Sequence, residues 1–209
     1  ESLKILYKEF LSYDNAGVAG PSLYDESNKR RTNSSLSFLK QKIYRNSFQR
    51  NIYKNLNKNL TEGNISCDYI IGCAMLFEKS FFIEIGGFDE RFFIYYEDND
   101  ICDRIWQSNK MVLEIPSSKM IHLQGKSIKT NFRTNTFLSI SHRVSEYIYL
   151  NKNVTKFKLF SIIFINFFDF FQRFLFNLFL LNFKRSYKNF LRIISILLYI
   201  TKTYKFIKL

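Results

Sequence analysis

The period of the apolar positions changes several times along the 209-residue chain, and each change marks an element. From Glu1 to Tyr13, the residues Leu3, Leu6, Tyr7, Phe10 and Leu11 fall on one helical face, and Asp14-Asn15 closes that helix in a turn. Gly17-Val18-Ala19-Gly20-Pro21 follows as a short strand-like run; a helix entering a short buried strand is the rhythm of an α/β fold. Between Ser27 and Thr61 the pattern fades to Leu36, Leu39, Ile43 and Tyr44, which predicts a loop with helical pieces. Asp68 to Phe77 is a near-continuous apolar run of strand length. Its interior Gly72 marks a bulge or a close approach by a ligand or backbone. Glu78 to Ile85 reads as a short helix ended by Gly86-Gly87, since glycine accepts the left-handed conformation that closes helices. Asp98 to Asn109 is a predicted helix and Met111 to Ile115 a strand stopped by Pro116. Lys119 to Leu123 is a further short strand with His122 at its end. Lys156 to Phe183 and Phe190 to Ile200 are long Phe-, Leu- and Ile-rich helical stretches.

Charge divides this pattern into two surfaces. The chain carries 31 Lys and Arg against 18 Asp and Glu, a formal charge of +13. Eleven of the basic residues and a single acid, Asp169, lie between Leu150 and Leu209, whereas Cys67 to Asp103 is acidic. Nine more Lys and Arg run without an acid from Ser27 to Thr61, a pattern that fits either a solvated face or a surface for nucleic acid or a diphosphate. Cys67, Cys73 and Cys102 lack metal-ligand spacing and read as reduced thiols in a cytosolic setting, which argues against a zinc site. The chain opens on Glu1 rather than Met, without an apolar leader, and reads as a fragment of a longer protein.

The stretch Gly86-Gly-Phe-Asp-Glu-Arg-Phe-Phe-Ile-Tyr-Tyr-Glu-Asp-Asn-Asp100 sets a group of carboxylates beside a double glycine and a wall of aromatics. Glu97 and Asp98 fall at a helix N-terminus, where acids cap N–H groups and suit the helix dipole, at about 0.3–1 kcal/mol each. With Asp89, Glu90, Asp100 and Asp103 nearby, the group is denser than capping requires, and so many like charges raise one another's pKa unless a cation or donor-rich ligand sits among them. His122 after its strand suits either a structural role or a ligand role. His142 lies in a polar helical stretch and suggests no role.

These residues resemble a known family. Gly72-Cys-Ala-Met-Leu, the Gly86–Arg104 stretch, Ile115-Pro116 and Ile121-His-Leu-Gln-Gly-Lys-Ser127 are similar, in that order, to the second half of family 2 glycosyltransferases. The nearest branch is the rhamnosyltransferases with related galactofuranosyl and polysaccharide-assembly enzymes. Val18-Ala-Gly-Pro21 with Asp25 is similar to the segment following that family's metal motif. The resemblance covers about Glu1 to Asn153. It implies a partial GT-A fold, an α/β sandwich around a mostly parallel sheet, for residues 1–153; residues 154–209 follow as a basic, apolar, helical tail whose pattern fits amphipathic, membrane-associating helices.

The resemblance further implies transfer of a sugar, rhamnose or a related hexose, from a nucleotide-diphospho-sugar to a saccharide or lipid-linked acceptor, with a divalent cation, Mg²⁺ or Mn²⁺. Asp98 takes the place of the general base of an inverting displacement, Glu97 helps to hold the acceptor, Tyr69, Gly72 and Cys73 match the acceptor-side wall, and His122 takes the place of the metal-contacting histidine. The nucleotide-binding half with its Asp-x-Asp motif does not precede Glu1, so the isolated 209 residues are expected to be inactive or nearly so. A non-catalytic remnant or membrane-adaptor module is the alternative.

The tail is compatible with a helical pair packed on its own domain or on a partner subunit. It also fits an interfacial pair with aromatics inserted and cations facing anionic headgroups, which places the protein peripherally on the cytoplasmic face of a bacterial inner membrane. Nucleic acid is not an expected partner, because the basic tail is also intensely apolar and carries no recognised binding motif.

Overall fold

A computed structural model describes residues 1–31, 34–35, 65–123, 125 and 131–206. Most of the basic stretch from Ser27 to Thr61 lies outside the described residues. Two compact units emerge. The first is formed by residues 1–89 and 97–126, the second by residues 90–96 and 127–209. The helix ending at Asn153 packs with those that follow it, within the second unit.

The first unit is built on a four-stranded sheet. Helix α1 (Ser2–Leu11) leads into β1 (Ala16–Tyr24), and β2 (Arg30–Arg31) and β3 (Ser34–Ser35) follow. Next come β4 (Ile65–Ser66), β5 (Tyr69–Ile70), α2 (Lys79–Glu84), α3 (Glu97–Gln107) and β6 (Met111–Ile121). The sheet order is β2-β1-β6-β4, while β3 and β5 form a separate antiparallel pair. Only β1 and β6 run parallel; β2 and β4 are antiparallel edges, so the sheet is mixed rather than mostly parallel among the described residues. Two-residue edge strands need no crossover helix, which is what a parallel partner requires.

Alternation along β6 fixes the layers. Leu113 and Ile115 pack with Leu6 and Phe10 of α1 on one face, and Val112 packs with Ile101 and Ile105 of α3 on the other. β1 is buried from Ala16 to Leu23, as a strand covered on both faces must be. Its small residues let the helices come close: a Cβ on Gly17 would lie 2.4 Å from Ile105 Cγ2. Since α3 turns directly into β6, it runs back against that strand, and its N-terminus lies at the end of the sheet where β1 and β6 finish.

Three sequence expectations change here. The two strands expected either side of Pro116 are one strand with an irregularity: Ile115 pairs with Pro21 and Lys119 with Ser22, leaving Pro116-Ser117-Ser118 out of register. The apolar run Asp68–Phe77 is not a continuous strand. It pairs at Tyr69-Ile70 and bridges again at Leu76 to Ala19, with a turn around Gly72 between. The N–H of Gly72 is taken by a side chain and no longer serves a ladder. Lastly, β2 and β3 stand where only loop and helical pieces were expected.

The second unit comprises α4 (Phe132–Asn153), α5 (Lys156–Phe179), α6 (Phe183–Thr201) and a 3-10 turn, Thr203–Phe206. Each long helix has a side-chain cap: Asn131 forms a reciprocal capping box with Thr134, Thr155 accepts from the Lys158 N–H, and Asn182 accepts from the Arg185 N–H. That last cap starts α6 at Phe183, seven residues before the expected Phe190. Segment 90–96 docks on one stripe of α4. Phe93 meets Phe137 edge-on with centroids 5.2 Å apart, Ser145 Oγ donates to the Ile94 carbonyl at 2.9 Å, and Tyr96 packs on Tyr149 at 5.5 Å. On the opposite side of α4, Tyr147 accepts from Asn166 of α5 at 3.2 Å and packs against Tyr199 of α6.

Candidate active site

Asp98 is the second residue of α3, where helix N–H groups lack internal partners and the dipole is positive. Its carboxylate is fixed at both oxygens. Oδ1 accepts from the backbone N–H of Asn99 at 2.8 Å and from Asn99 Nδ2 at 3.0 Å. Oδ2 accepts one bond among the described residues, from the Gly72 N–H at 3.1 Å. Gly72 leaves the space beside that oxygen open: a Cβ there would lie 3.4 Å from Asp98 Cβ and 3.8 Å from Oδ2. The glycine that interrupts the apolar run is thus a close approach between two stretches 26 residues apart.

Glu97 precedes it with a different environment. Burial, and secondarily the Asp98 charge, raise the Glu97 carboxyl above its ordinary value against a hydrogen bond from its own backbone. Its Oε2 is buried without a hydrogen-bond partner among the described residues. A buried oxygen in that state carries a desolvation cost that a donor group would relieve. Burial, and then the Asp98 charge, also raise the Cys73 thiol, keeping it a neutral neighbour of the carboxylates.

The remaining acids of the cluster divide into structural tasks. Asp100 is 2% exposed and pairs with Arg104 at 3.0 Å; Arg104 also donates to the carbonyls of Ile85 and Gly87 at 2.5 and 2.6 Å. One guanidinium therefore ties the end of α2 to α3. Gly86 and Gly87 both have positive φ, 82° and 62°, as the helix-closing reading requires. Asp25 organises a turn: Oδ1 accepts from the Ser27 N–H and hydroxyl and from the Lys29 N–H, and Oδ2 pairs with Arg31 at 3.2 Å. The Ser27 hydroxyl, followed by the Lys29 N–H, holds its carboxyl below the ordinary value.

The structure thus brings Gly72, Cys73, Glu97 and Asp98 together. Tyr69 packs against the core around Ile70, Phe81 and Ile101. His122 follows β6, its backbone N–H donating to the Tyr24 carbonyl at 2.8 Å, at the same end of the sheet as Asp98 but without a hydrogen bond to it. Among the described residues, no group of three or more His, Cys, Asp or Glu side chains forms a metal cage. His122 offers one donor, and no described side chains join it in such a group.

Sequence reasoning missed two features. Tyr95 and Tyr96, immediately before Glu97, both adopt left-handed backbone, φ 70° and 68°. For bulky residues this costs about 1–3 kcal/mol each and persists only where packing over-determines it. Here His142, which the sequence left without a role, packs against both rings, at 5.0 and 5.5 Å. The second feature is Glu114, 1% exposed in the middle of β6, which accepts from Ser22 Oγ at 2.7 Å and pairs with Arg30 at 2.8 Å. An acid inside a buried strand was the available signal.

Part of the chain is similar to known proteins. A family model described as the N-terminal domain of galactosyltransferase matches residues 55–126. Two relatives are the N-acetylglucosaminyl-diphospho-decaprenol L-rhamnosyltransferases of Mycobacterium tuberculosis strains CDC 1551 / Oshkosh and ATCC 25618 / H37Rv. Each is 34% identical over 82 residues, which is 39% of this chain. The chain spans about a quarter, 26%, of the length of the curated relatives it matches. Gly72, Glu97, Asp98 and His122 fall within residues 55–126, a region that is therefore glycosyltransferase-like.

Proposed function

We propose that this region serves sugar transfer from a nucleotide-diphospho-sugar, rhamnose or a related hexose, to a hydroxyl of a saccharide or lipid-linked acceptor in the building of bacterial surface polysaccharide. The observation that carries the reading is the Asp98 carboxylate, fixed by three N–H donors at a helix N-terminus with one face left open by Gly72. Oδ2, with one bond among the described residues, has a lone pair to spare. The acceptor oxygen attacks the anomeric carbon as the bond to the diphosphate breaks, and its proton passes to Oδ2; attack opposite the leaving group inverts the configuration. Glu97 Oε2, buried without a donor, suits a second acceptor hydroxyl. Cys73 lines the same side. His122 stands as a candidate ligand of a Mg²⁺ or Mn²⁺ ion.

We assign residues 154–209 to an anionic membrane surface, the cytoplasmic face of the inner membrane. α5 is long and apolar enough to cross a membrane by length and composition, with mean hydropathy 1.5, and only 11% of the window is buried. An interfacial position suits it better than a span. Asp169 and Arg173 sit in its body, and α6, which packs along it, carries Lys184, Arg185, Lys188 and Arg192; each charge at the bilayer centre costs about 2.5–3.5 kcal/mol.

The test is a transfer assay on the complete reading frame that contains these residues, with a panel of dTDP- and UDP-sugars and Mg²⁺ or Mn²⁺, comparing wild type with Asp98→Asn. The expected loss in kcat is about 10²–10⁴-fold. Transfer by Asp98→Asn within a few-fold of wild type removes Asp98 from the mechanism. Absence of transfer by both proteins, with vesicle binding retained, favours the adaptor reading.

A further inference from the structure

The helical unit holds a site of different chemistry. α5 and α6 form a hairpin through Leu180–Asn182, closed by Phe174 against Phe190 and by Ser186 Oγ donating to the Phe174 carbonyl at 3.2 Å. Between their facing sides lies a cavity of about 520 Å³, within the range of about 300–1,000 Å³ typical of small-ligand sites. Its polar lining consists of Arg173 and Asn177 from α5, one turn apart, Asn182 at the turn, and Arg185, Lys188, Asn189 and Arg192 from α6. The three cations of α6 recur at helical spacing, so a single face of the helix carries them.

Four cations share this cavity, and Asp169 is the one acid within ion-pairing distance of them among the described residues, bound to Arg173 at 2.7 Å. Arg192 donates to Asn189 Oδ1 at 3.1 Å and lies 5.2 Å from the centroid of the Phe170 ring, which Arg143 also approaches at 5.4 Å. Burial, followed by repulsion from Arg143 and Arg173, depresses its guanidinium below the ordinary value despite Asp169 and Glu146. Such a cluster favours an anion with several oxygens, which Arg forks and amide N–H groups bind together.

The rim identifies what bears that anion. Phe176 and Leu180 line the cavity, and the turn beside it raises Phe179 to 84% and Leu181 to 71% exposure, with Phe183 following. Contiguous bare apolar side chains next to a cation pocket match a headgroup and its hydrocarbon, not a free ion in water.

We propose that the α5–α6 cavity binds the phosphate head of a lipid, a diphosphate fitting its four cations best, with the hairpin tip seated among the acyl chains. The inference stands on the cavity and not on the Asp98 chemistry, although it would supply a lipid-linked acceptor to that reading. Its test needs no sugar donor, so the two fail separately.

The full chain is titrated with phosphatidylcholine vesicles that are undoped, doped with phosphatidylglycerol, or doped with a polyprenyl diphosphate at equal bulk charge. The same titrations are run on the double variants R185Q/K188Q and K156Q/K158Q, the latter removing equal charge outside the cavity. Binding to the diphosphate vesicles is expected to be about tenfold tighter than to phosphatidylglycerol vesicles, and R185Q/K188Q is expected to lose most of that excess while K156Q/K158Q keeps it. Soluble inorganic pyrophosphate should compete for the excess. Equal losses in the two double variants, or no preference for the diphosphate lipid, overturn the site. Pyrophosphate binding without vesicle partition overturns the lipid as its source.

Discussion

Ile101 and Ile105 on α3 are fully enclosed, whereas Phe157 and Phe179 on α5 stand 82% and 84% exposed, although both helices depend on apolar side chains to pack. The sheet-bearing unit encloses its central apolar residues and pairs the buried Asp100 with Arg104 and Glu114 with Arg30. The helical unit has a core of its own, with Tyr147, Leu150 and Ile196 buried, but leaves more of its large apolar side chains bare. α6 buries Ser186, Asn189 and Ser195 against its neighbours and turns Phe190, Leu197 and Ile200 outward. The contrast separates two kinds of constraint. On the proposed reading, one unit holds a carboxylate still and the other presents hydrocarbon and positive charge to a membrane surface.

The sharpest way to break that contrast is to remove one acid from each unit. Glu114→Ala strands a largely buried Arg30 and should cost about 3–5 kcal/mol in urea unfolding. Asp169→Ala, which removes an exposed pair with Arg173, should cost at most about 1 kcal/mol. Equal costs would put the two units on the same footing.

A second comparison pairs hydrophobic truncations. Ile101→Ala should destabilise by about 2–5 kcal/mol. Phe179→Ala should leave stability within about 0.5 kcal/mol. Its effect should appear instead as roughly tenfold weaker partition into anionic vesicles, the equivalent of losing most of one buried aromatic.

The smallest expected effect concerns Glu97. Its folded-state pKa is raised, so its contribution to stability is complete below the ordinary carboxylate value and is lost as pH rises through the raised one. Glu97→Gln should therefore gain on the order of 1 kcal/mol in thermal or urea unfolding at neutral pH, and that gain should vanish in acid. A gain that persists in acid would assign the effect to packing rather than charge.

Local pattern made the helices legible: α1, α2 and α3 end within two residues of where periodicity and the double glycine put them. The carboxylate group was legible as a site, but not its division of labour. Asp98 and Gly72 meet across 26 residues, and Glu114 and Arg30 across 84, distances over which spacing carries no information. The run Asp68–Phe77 reads as one strand because an apolar run does not reveal that a carboxylate will take the N–H in its middle. Two-residue strands such as β2 and β4 are too short to show a period, which hid the mixed sheet. Tyrosine does not announce positive φ as glycine or asparagine does, so the strained turn at Tyr95-Tyr96 appears only in the folded chain.

The central claim is that an acceptor reaches Asp98 Oδ2 across the face that Gly72 leaves open, and the most direct measurement is steady-state transfer by Gly72→Ala and Gly72→Val. Gly72 does not occupy the left-handed region and a Cβ fits at ordinary contact distance, so both variants should fold. The account predicts that the KM for the acceptor rises and kcat falls in the order Gly, Ala, Val, with the KM for the donor unchanged. Unaltered acceptor kinetics in Gly72→Val would contradict it.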